Sequence, residues 1–278
     1  MKAYLQLVRA PAALTVLGDT VAGAAAAGKP LRGRRLLLPL SSVSFYWAGM
    51  ALNDWVDRKL DAVERPERPI PSGRVSPGQA LAVAGGLTAA GLGLARAAGG
   101  RGTTAVSLAA AIWAYDTVLK NTPAGPVAMA ACRTLDVLLG GDSRQALPTA
   151  IAVGGHTLGV TALSRGEVHG ASPAVAKTVL AGTGLTALTA LTGARTWRDR
   201  LGALAFAGLY TSTVGRPQYT AAQDPSADKV RKATMAGIHG MVPLQAALAA
   251  RRGSLLGAVA VAAALPVARR LARKVSPT

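Results

Sequence analysis

Long apolar segments, separated by short polar stretches, recur along the whole chain. Their lengths of about 15 to 21 residues are close to the roughly 20 residues that a helix needs to cross a membrane. The segments cover residues 11–28, 36–53, 77–97, 103–119, 125–141, 147–163, 173–193, 199–215, 233–250 and 254–268. This pattern predicts nine or ten membrane-spanning helices. The alternative for the tenth segment, which ends in basic residues between Arg269 and Lys274, is a helix lying in the interface.

Alanine and glycine outnumber leucine in several of these segments. Small residues let helix backbones approach closely inside a membrane, where no hydrophobic force drives helices together. We therefore expect an all-α fold, a polytopic transmembrane helical bundle that residues 1–278 form as a single domain.

The composition and charge agree with a membrane protein. Half of the residues are apolar (50%) and 16% are charged, and the mean hydropathy is +0.31, which is unlike a water-soluble domain. The net charge of +18 comes from Lys and Arg residues scattered over many short connecting segments. A nucleic-acid partner would favour one contiguous basic patch, whereas scattered charges suit membrane lipids with anionic headgroups.

Acidic residues are concentrated just after the second apolar segment. Residues 53–74 contain five of the chain's thirteen acidic residues. At 100° per residue, Asp54, Asp57 and Asp61 project within about 60° of one another on a helix. Three carboxylates on one face require cations, and such hard oxygen ligands, followed by arginines such as Arg68, suit Mg²⁺ shared with substrate phosphates. The alternative is a solvated run of charges at the membrane edge.

The same residues carry a family resemblance. The string Asn53-Asp54-x-x-Asp57-x-x-x-Asp61, followed by Arg68-Pro69-Ile70-Pro71-Ser72-Gly73, resembles the first signature of the UbiA superfamily of intramembrane prenyltransferases. Further matching strings are Arg9-Ala10-Pro11 and Tyr115-Asp116-x-x-x-Lys120-Asn121-Thr122-Pro123. The strings at 132–140 and 164–168 look like a divergent bacterial branch that includes EboC-like proteins.

The resemblance implies a catalytic site for an isoprenyl diphosphate. It assigns Mg²⁺ binding to the three aspartates, a site-shaping role to Asn53 and contact with the diphosphate to Lys120. Cations neutralise the charge that develops on a leaving diphosphate, and an apolar cavity shields the resulting allylic cation from water. The π face of Tyr115 is a candidate to stabilise that cation. An interfacial tyrosine is the alternative.

The chain departs from the family at the expected second aspartate motif. Residues 161–170 contain one carboxylate, Glu167. We expect Glu167 to replace the missing metal ligand and Arg165 to bind the diphosphate directly, with a simple interfacial ion pair as the alternative. The string Asp224-Pro225-Ser226-Ala227-Asp228 has the Asp-x-x-x-Asp spacing of the expected second motif. Its proline, however, indicates the start of a helix.

Three ionisable residues, Asp19, Arg133 and Asp136, fall inside apolar segments. Charges at membrane depth usually face a cavity or a partner. We expect them to line a pocket for a small-molecule acceptor, and their polarity favours a hydroxylated one. The alternative is a local pair between Arg133 and Asp136, which are one helical turn apart.

The predicted function is Mg²⁺-dependent transfer of an isoprenyl group from its diphosphate to an acceptor. A non-catalytic transporter or lipid-binding protein with the same fold is the competing hypothesis. Strict alternation of spans places the polar connections on one side of the membrane, near residues 54–76, 119–124, 164–172 and 216–232. Because prenyl diphosphates and Mg²⁺ are cytosolic reagents, we expect the active site on the cytoplasmic side of the cell membrane.

Overall fold

The computed structural model describes residues 1–275, and of residues 265, 267–269 and 271–275 it describes the backbone alone. The described part contains eleven α-helices and no strand, so the predicted all-α helical fold is confirmed. The helices are α1 (Lys2–Leu7), α2 (Leu17–Ala26), α3 (Leu37–Glu64), α4 (Pro77–Ala97), α5 (Gly102–Ala114), α6 (Gly125–Gly140), α7 (Leu147–Ser164), α8 (Pro173–Leu191), α9 (Trp197–Gln223), α10 (Ala227–Ala250) and α11 (Leu255–Val275). Three 3₁₀ segments, Ala10–Thr15, Gly33–Leu36 and Arg144–Ala146, precede α2, α3 and α7, and a π-helical turn, Tyr115–Leu119, follows α5.

Three helical segments of the described chain are long and apolar enough to cross a membrane by length and composition. They are α4, α8 and the segment Arg144–Ser164, which contains α7. The remaining long helices carry charged ends that continue past the apolar segments. The tenth predicted segment corresponds to α11, and its terminal basic side chains, apart from Arg270, lie outside the described side chains.

Helices extend into two of the predicted connections, which corrects the sequence interpretation. Helix α3 continues to Glu64, so the connection begins at Arg65 rather than at residue 54. Helices α9 and α10 extend over most of 216–232 and leave only residues 224–226 between them. Hydropathy locates the apolar part of a helix, whereas hydrogen bonding lets the helix continue into its charged end.

Glycines bring the backbones of α2 and α6 into direct contact. A Cβ atom on Gly140 would lie 2.1 Å from the Thr20 carbonyl oxygen, and one on Gly141 would lie 1.9 Å from the Gly23 carbonyl oxygen. Only glycine permits this approach, as expected for helices packed in a membrane. The contact holds α2 against the face of α6 that carries the interior charges.

We expect Gly140→Ala to lower the free energy of unfolding by about 1–3 kcal/mol, because the added methyl group would force α2 and α6 apart. The matched control is Gly155→Ala on α7, where nothing lies within 4 Å of the added Cβ. Thermal unfolding of both variants in detergent micelles measures the difference. Equal midpoints would show that the α2–α6 contact can relax without cost.

Candidate functional site

A cavity of about 470 Å³ lies between the N-terminal 3₁₀ segment, α3, α5, α6, α7 and α10. Much of its wall is apolar, with contributions from Phe45, Leu108, Ile112, Met129 and Met241. The predicted site residues that line it are Asn53, Tyr115, Arg133, Asp136 and Glu167. The predicted residues outside the lining are Asp19, Asp54, Asp57, Asp61, Arg68, Lys120 and Arg165.

Arginines neutralise two of the three aspartates on α3. Nη1 of Arg68 lies 3.3 Å from Oδ1 of Asp54 and 2.6 Å from Oδ2 of Asp61, so one guanidinium bridges both carboxylates. Nη2 of Arg9 lies 3.1 Å from Oδ1 of Asp54. Both carboxylates are buried, and burial without such cations would cost several kcal/mol. The aspartates of α3 therefore lie beside guanidinium groups, from other segments, that can bind phosphate oxygens.

Two side-chain contacts connect α3 to the π-helical turn after α5 and to Lys120, which follows that turn. Nζ of Lys120 lies 2.7 Å from Oδ1 of Asp57. One helical turn away, Nδ2 of Asn53 donates a hydrogen bond of 3.2 Å to Oδ1 of Asp116. Residues 53 and 57 are one turn apart on α3, and Lys120, which directly follows the π-helical turn, is four residues after Asp116. The two contacts therefore form two successive rungs between the elements.

The carboxylates suit Mg²⁺ that is bound together with a phosphorylated substrate. Among the described residues no three His, Cys, Asp or Glu side chains form a ready metal site. Mg²⁺ usually takes one or two protein carboxylates and completes its shell with water and substrate phosphates. The hard oxygen donors of Asp54, Asp57 and Asp61, all on one face of α3, agree with that mode of binding.

The two residues expected to replace the second motif lie near the same end of the cavity. The guanidinium of Arg165 donates a hydrogen bond to the carbonyl oxygen of Thr122, in the connection that follows Lys120. Glu167 is half-buried and lines the cavity. No ion pair among the described residues joins Arg165 to Glu167, so the alternative of a simple pair is not observed.

The aspartates at 224 and 228 pair with lysines at the start of α10. Lys229 lies 2.5 Å from Asp224 and Lys232 lies 2.7 Å from Asp228. The hydrogen bond from Lys229 lowers the pKa of Asp224 below its usual range. This agrees with the sequence interpretation of a helix start.

The interior charges pair differently from the local alternative considered for the sequence. Arg133 binds Asp19, with 3.1 Å between Nη1 and Oδ2, and not Asp136. Gln245 adds a hydrogen bond of 2.6 Å to Oδ1 of Asp19. Asp136 instead accepts a hydrogen bond of 2.6 Å from Ser42. The local alternative is wrong because α2, held against α6 by glycines, presents a fully buried carboxylate to Arg133.

Arg133 and Asp136 line the cavity, whereas Asp19 lies behind Arg133 and does not. Ser42 precedes Asn53 by eleven residues, which places the Ser42–Asp136 contact about 16 Å deeper along α3. The second carboxylate oxygen of Asp136, Oδ1, is buried and has no hydrogen-bond partner among the described residues. The cavity thus has a charged mouth, apolar walls and a polar floor.

The cavity is also lined by four residues that the sequence patterns did not single out: Arg9, Ser42, Tyr46 and Asp116. Arg9 and Asp116 lie within the family-like strings, and this position was the sequence signal that could have identified them. Ser42 and Tyr46 lie in an apolar segment and gave no comparable signal.

Comparison with protein families and curated proteins gives consistent results. The sequence matches the UbiA prenyltransferase family over residues 14–275. Digeranylgeranylglyceryl phosphate synthase of Methanopyrus kandleri is 39% identical over 125 residues, which are 44% of this chain and 46% of that protein. The enzyme of the same name from Ignicoccus hospitalis is 40% identical over 124 residues, which are 44% and 40% of the two chains. The chain therefore matches less than half the length of these relatives.

Solved structures share the fold over most of the chain. One, from work on digeranylgeranylglyceryl phosphate synthase in membranes, has a TM-score of 0.66 at 16% identity and covers 93% of this chain and 98% of that one. A UbiA homologue from Archaeoglobus fulgidus, bound to GPP and Mg²⁺, has a TM-score of 0.62 at 16% identity and covers 84% and 99%.

Proposed function

We propose that this chain, which belongs to the UbiA prenyltransferase family, transfers an isoprenyl group from a Mg²⁺-bound isoprenyl diphosphate to a polar, hydroxylated acceptor within the membrane. The chain is a membrane prenyltransferase at the level of its family. The observation that carries the finer proposal is the aspartate face of α3 beside Lys120, at the mouth of a largely apolar cavity.

The prenyl diphosphate donor would bind at the mouth of the cavity. Asp54, Asp57 and Asp61 would hold Mg²⁺ together with the diphosphate, with Glu167 as a further ligand from the opposite wall. Mg²⁺, when bound, neutralises charge on the leaving diphosphate. Lys120 donates hydrogen bonds to the diphosphate oxygens and stabilises the charge that forms as the C–O bond breaks.

Cationic side chains around the mouth would bind the rest of the diphosphate. Arg68 and Arg9 are within reach because each already contacts Asp54. Arg165 is held against the connection after Lys120, so we propose that it binds the diphosphate from the other side. The Archaeoglobus fulgidus homologue is bound to GPP and Mg²⁺, which supports this class of donor for the present chain.

The apolar walls would hold the isoprenyl chain and exclude water from the allylic cation. Tyr115 lines the cavity beside this path, which supports a role for its ring next to the cation. An apolar site of this kind protects a reactive intermediate from hydrolysis.

The acceptor would use the polar residues of the cavity. Arg133 and Asp136 are the charged residues of its floor, and Asp19 fixes the position of Arg133. The relatives are named for a glyceryl phosphate that carries two geranylgeranyl groups. A geranylgeranylglyceryl phosphate, which offers a hydroxyl group and a phosphate, is therefore the first acceptor to test.

We further propose a location in the cell membrane with the aspartate face toward the cytoplasm. The donor's diphosphate and Mg²⁺ are both supplied from the cytosol, and the charged mouth of the cavity is where they would bind. A single domain over residues 1–278 and membership of an EboC-like branch are part of the same proposal.

The proposal can be tested with protein purified in detergent. The protein is incubated with Mg²⁺ and dimethylallyl, geranyl or geranylgeranyl diphosphate, with and without geranylgeranylglyceryl phosphate. Diphosphate release and the mass of the lipid product are measured. We expect Mg²⁺-dependent turnover of at least one donor. If none of the three donors is turned over, the proposed transferase activity is wrong, and a lipid-binding role is favoured.

A further inference from the structure

A carboxylate that the proposed donor site does not use lies one helical turn below it. On α3, Asn53 is four residues before Asp57, and Asp116, on the π-helical turn, is four residues before Lys120, which directly follows that turn. The Asn53–Asp116 rung is therefore about 5–6 Å from the Asp57–Lys120 rung. Since α3 runs outward from Ser42 to Asp57, the Asp116 rung is the deeper of the two.

The fold holds this carboxylate with one oxygen engaged and the other available. Asp116 is 3% exposed and lines the cavity. Its Oδ1 accepts the hydrogen bond from Asn53, and among the described residues none donates to Oδ2. A Cβ atom on Gly49 would lie 3.5 Å from Oδ2, so the glycine leaves open space beside that oxygen. The π-helical turn that carries Asp116 is a rare element found frequently at functional sites.

Transfer to a hydroxyl group requires a proton acceptor at this depth. The C–O bond of the donor breaks, and its electron pair leaves on the diphosphate. The acceptor's hydroxyl oxygen forms the new C–O bond to the allylic carbon, and the O–H proton must be removed. The allylic carbon is bonded directly to a diphosphate oxygen, so a diphosphate on the Asp57–Lys120 rung places that carbon within one turn of it.

We propose that Asp116 is a catalytic residue whose Oδ2 removes the proton from the acceptor's hydroxyl group. This inference rests on the proposed function, because it needs a prenyl diphosphate at the aspartate face. The products are the prenyl ether, diphosphate and protonated Asp116, which returns its proton to water as the product leaves.

The other carboxylates near the cavity are less suited to this step, and Glu167, which also lines it, is already assigned to the metal. Asp54 and Asp61 are bound by arginines, and Asp57 is bound by Lys120. Asp136 contacts Ser42, about 16 Å below Asn53 along α3, which is too far from the allylic carbon. Asp116 lies within one helical turn of the expected allylic carbon, and its Oδ2 accepts no hydrogen bond from the described residues.

Asp116→Asn tests the proposal, because it keeps the shape and the acceptor for Asn53 but removes the base. Two quantities are measured with Mg²⁺ and geranylgeranyl diphosphate carrying ¹⁸O in the bridging position. One is transfer, to geranylgeranylglyceryl phosphate or, without that acceptor, to water as geranylgeraniol. The other is movement of ¹⁸O from the bridging to a non-bridging position, which reports C–O cleavage without an acceptor.

We expect transfer to fall about 10²–10⁴-fold, the usual contribution of a general base, while ¹⁸O exchange stays within about two-fold of the unmodified protein. The matched control is Asp142→Asn, at a carboxylate that pairs with Arg101 and lies outside the cavity lining. It should change neither quantity. In Asp116→Ala, added formate should act as the missing base and restore transfer in proportion to its concentration. This second variant tests the proposal independently if Asp116→Asn folds poorly.

Undiminished transfer in Asp116→Asn would overturn the inference. Parallel loss of ¹⁸O exchange and transfer, without formate rescue in Asp116→Ala, would also overturn it and would place Asp116 in the donor site. Absence of both exchange and transfer in the unmodified protein would instead refute the proposed function.

Discussion

Asp57→Asn is expected to lower Mg²⁺-dependent prenyl transfer at least about 10²-fold, the usual loss when a group that stabilises transition-state charge is removed. The change replaces a carboxylate by a neutral amide of nearly equal volume, so the proposed metal loses a ligand and Lys120 loses its counter-ion 2.7 Å away. The Asp57 side chain is 24% exposed, and we therefore expect little effect on folding. Initial rates over a range of Mg²⁺ concentrations measure the loss.

Asp142→Asn serves again as the control, since it makes the same chemical change outside the proposed site. Asp54→Asn and Asp61→Asn should also reduce turnover. A double variant should lose little more than one single variant, because residues of one site act as a unit. Full activity in Asp57→Asn would remove the aspartate face from the mechanism.

Arg133→Leu is expected to lower the free energy of unfolding by about 3–5 kcal/mol, because it leaves Asp19 buried without its cation. Asp19 has no exposed surface, and Gln245, which donates a hydrogen bond of 2.6 Å to its Oδ1, is neutral and does not replace the lost cation. Chemical denaturation in detergent micelles measures the change. The matched control is Arg101→Leu, whose side chain is 73% exposed and pairs with Asp142 at 3.5 Å. That surface pair should contribute about 0–1 kcal/mol.

Adding Asp19→Asn to Arg133→Leu should recover most of the lost stability, because the unpaired charge is then removed. The double variant also separates stability from acceptor binding. If Arg133 binds the acceptor, the double variant should show a raised KM for geranylgeranylglyceryl phosphate and unchanged ¹⁸O exchange in the donor. Arg133→Leu that unfolds like Arg101→Leu would show that the buried pair contributes little.

The apolar segments and the 100° spacing of helical residues were sufficient to predict two features. They indicated the helical bundle and the shared face of Asp54, Asp57 and Asp61. Both follow from local geometry, which a single segment of sequence contains. The structure confirms the helical fold, and the roles of the aspartates stay predictions.

The partners of the interior charges could not be predicted in this way. Spacing within one helix suggested a pair between Arg133 and Asp136, but the packing of α2 on α6 assigns Arg133 to Asp19. Asp116 was visible within a motif string, yet its position below Lys120 depends on how the π-helical turn meets α3. Contacts between helices depend on close approaches such as that at Gly140, and hydropathy does not encode them.

The polar residues of α3 also affect how this protein can be assembled. Their hydroxyl and carboxylate groups extend from Ser41 and Ser42 to Asp61, and α3 is not among the segments apolar enough to cross a membrane by composition. Its neighbour α4 is, and Ser41 donates a hydrogen bond of 2.7 Å to the Gly91 carbonyl oxygen of that helix. A helix with such groups partitions poorly into lipid alone. We therefore expect α3 to leave the insertion machinery together with α4, as a helical hairpin already paired through Ser41.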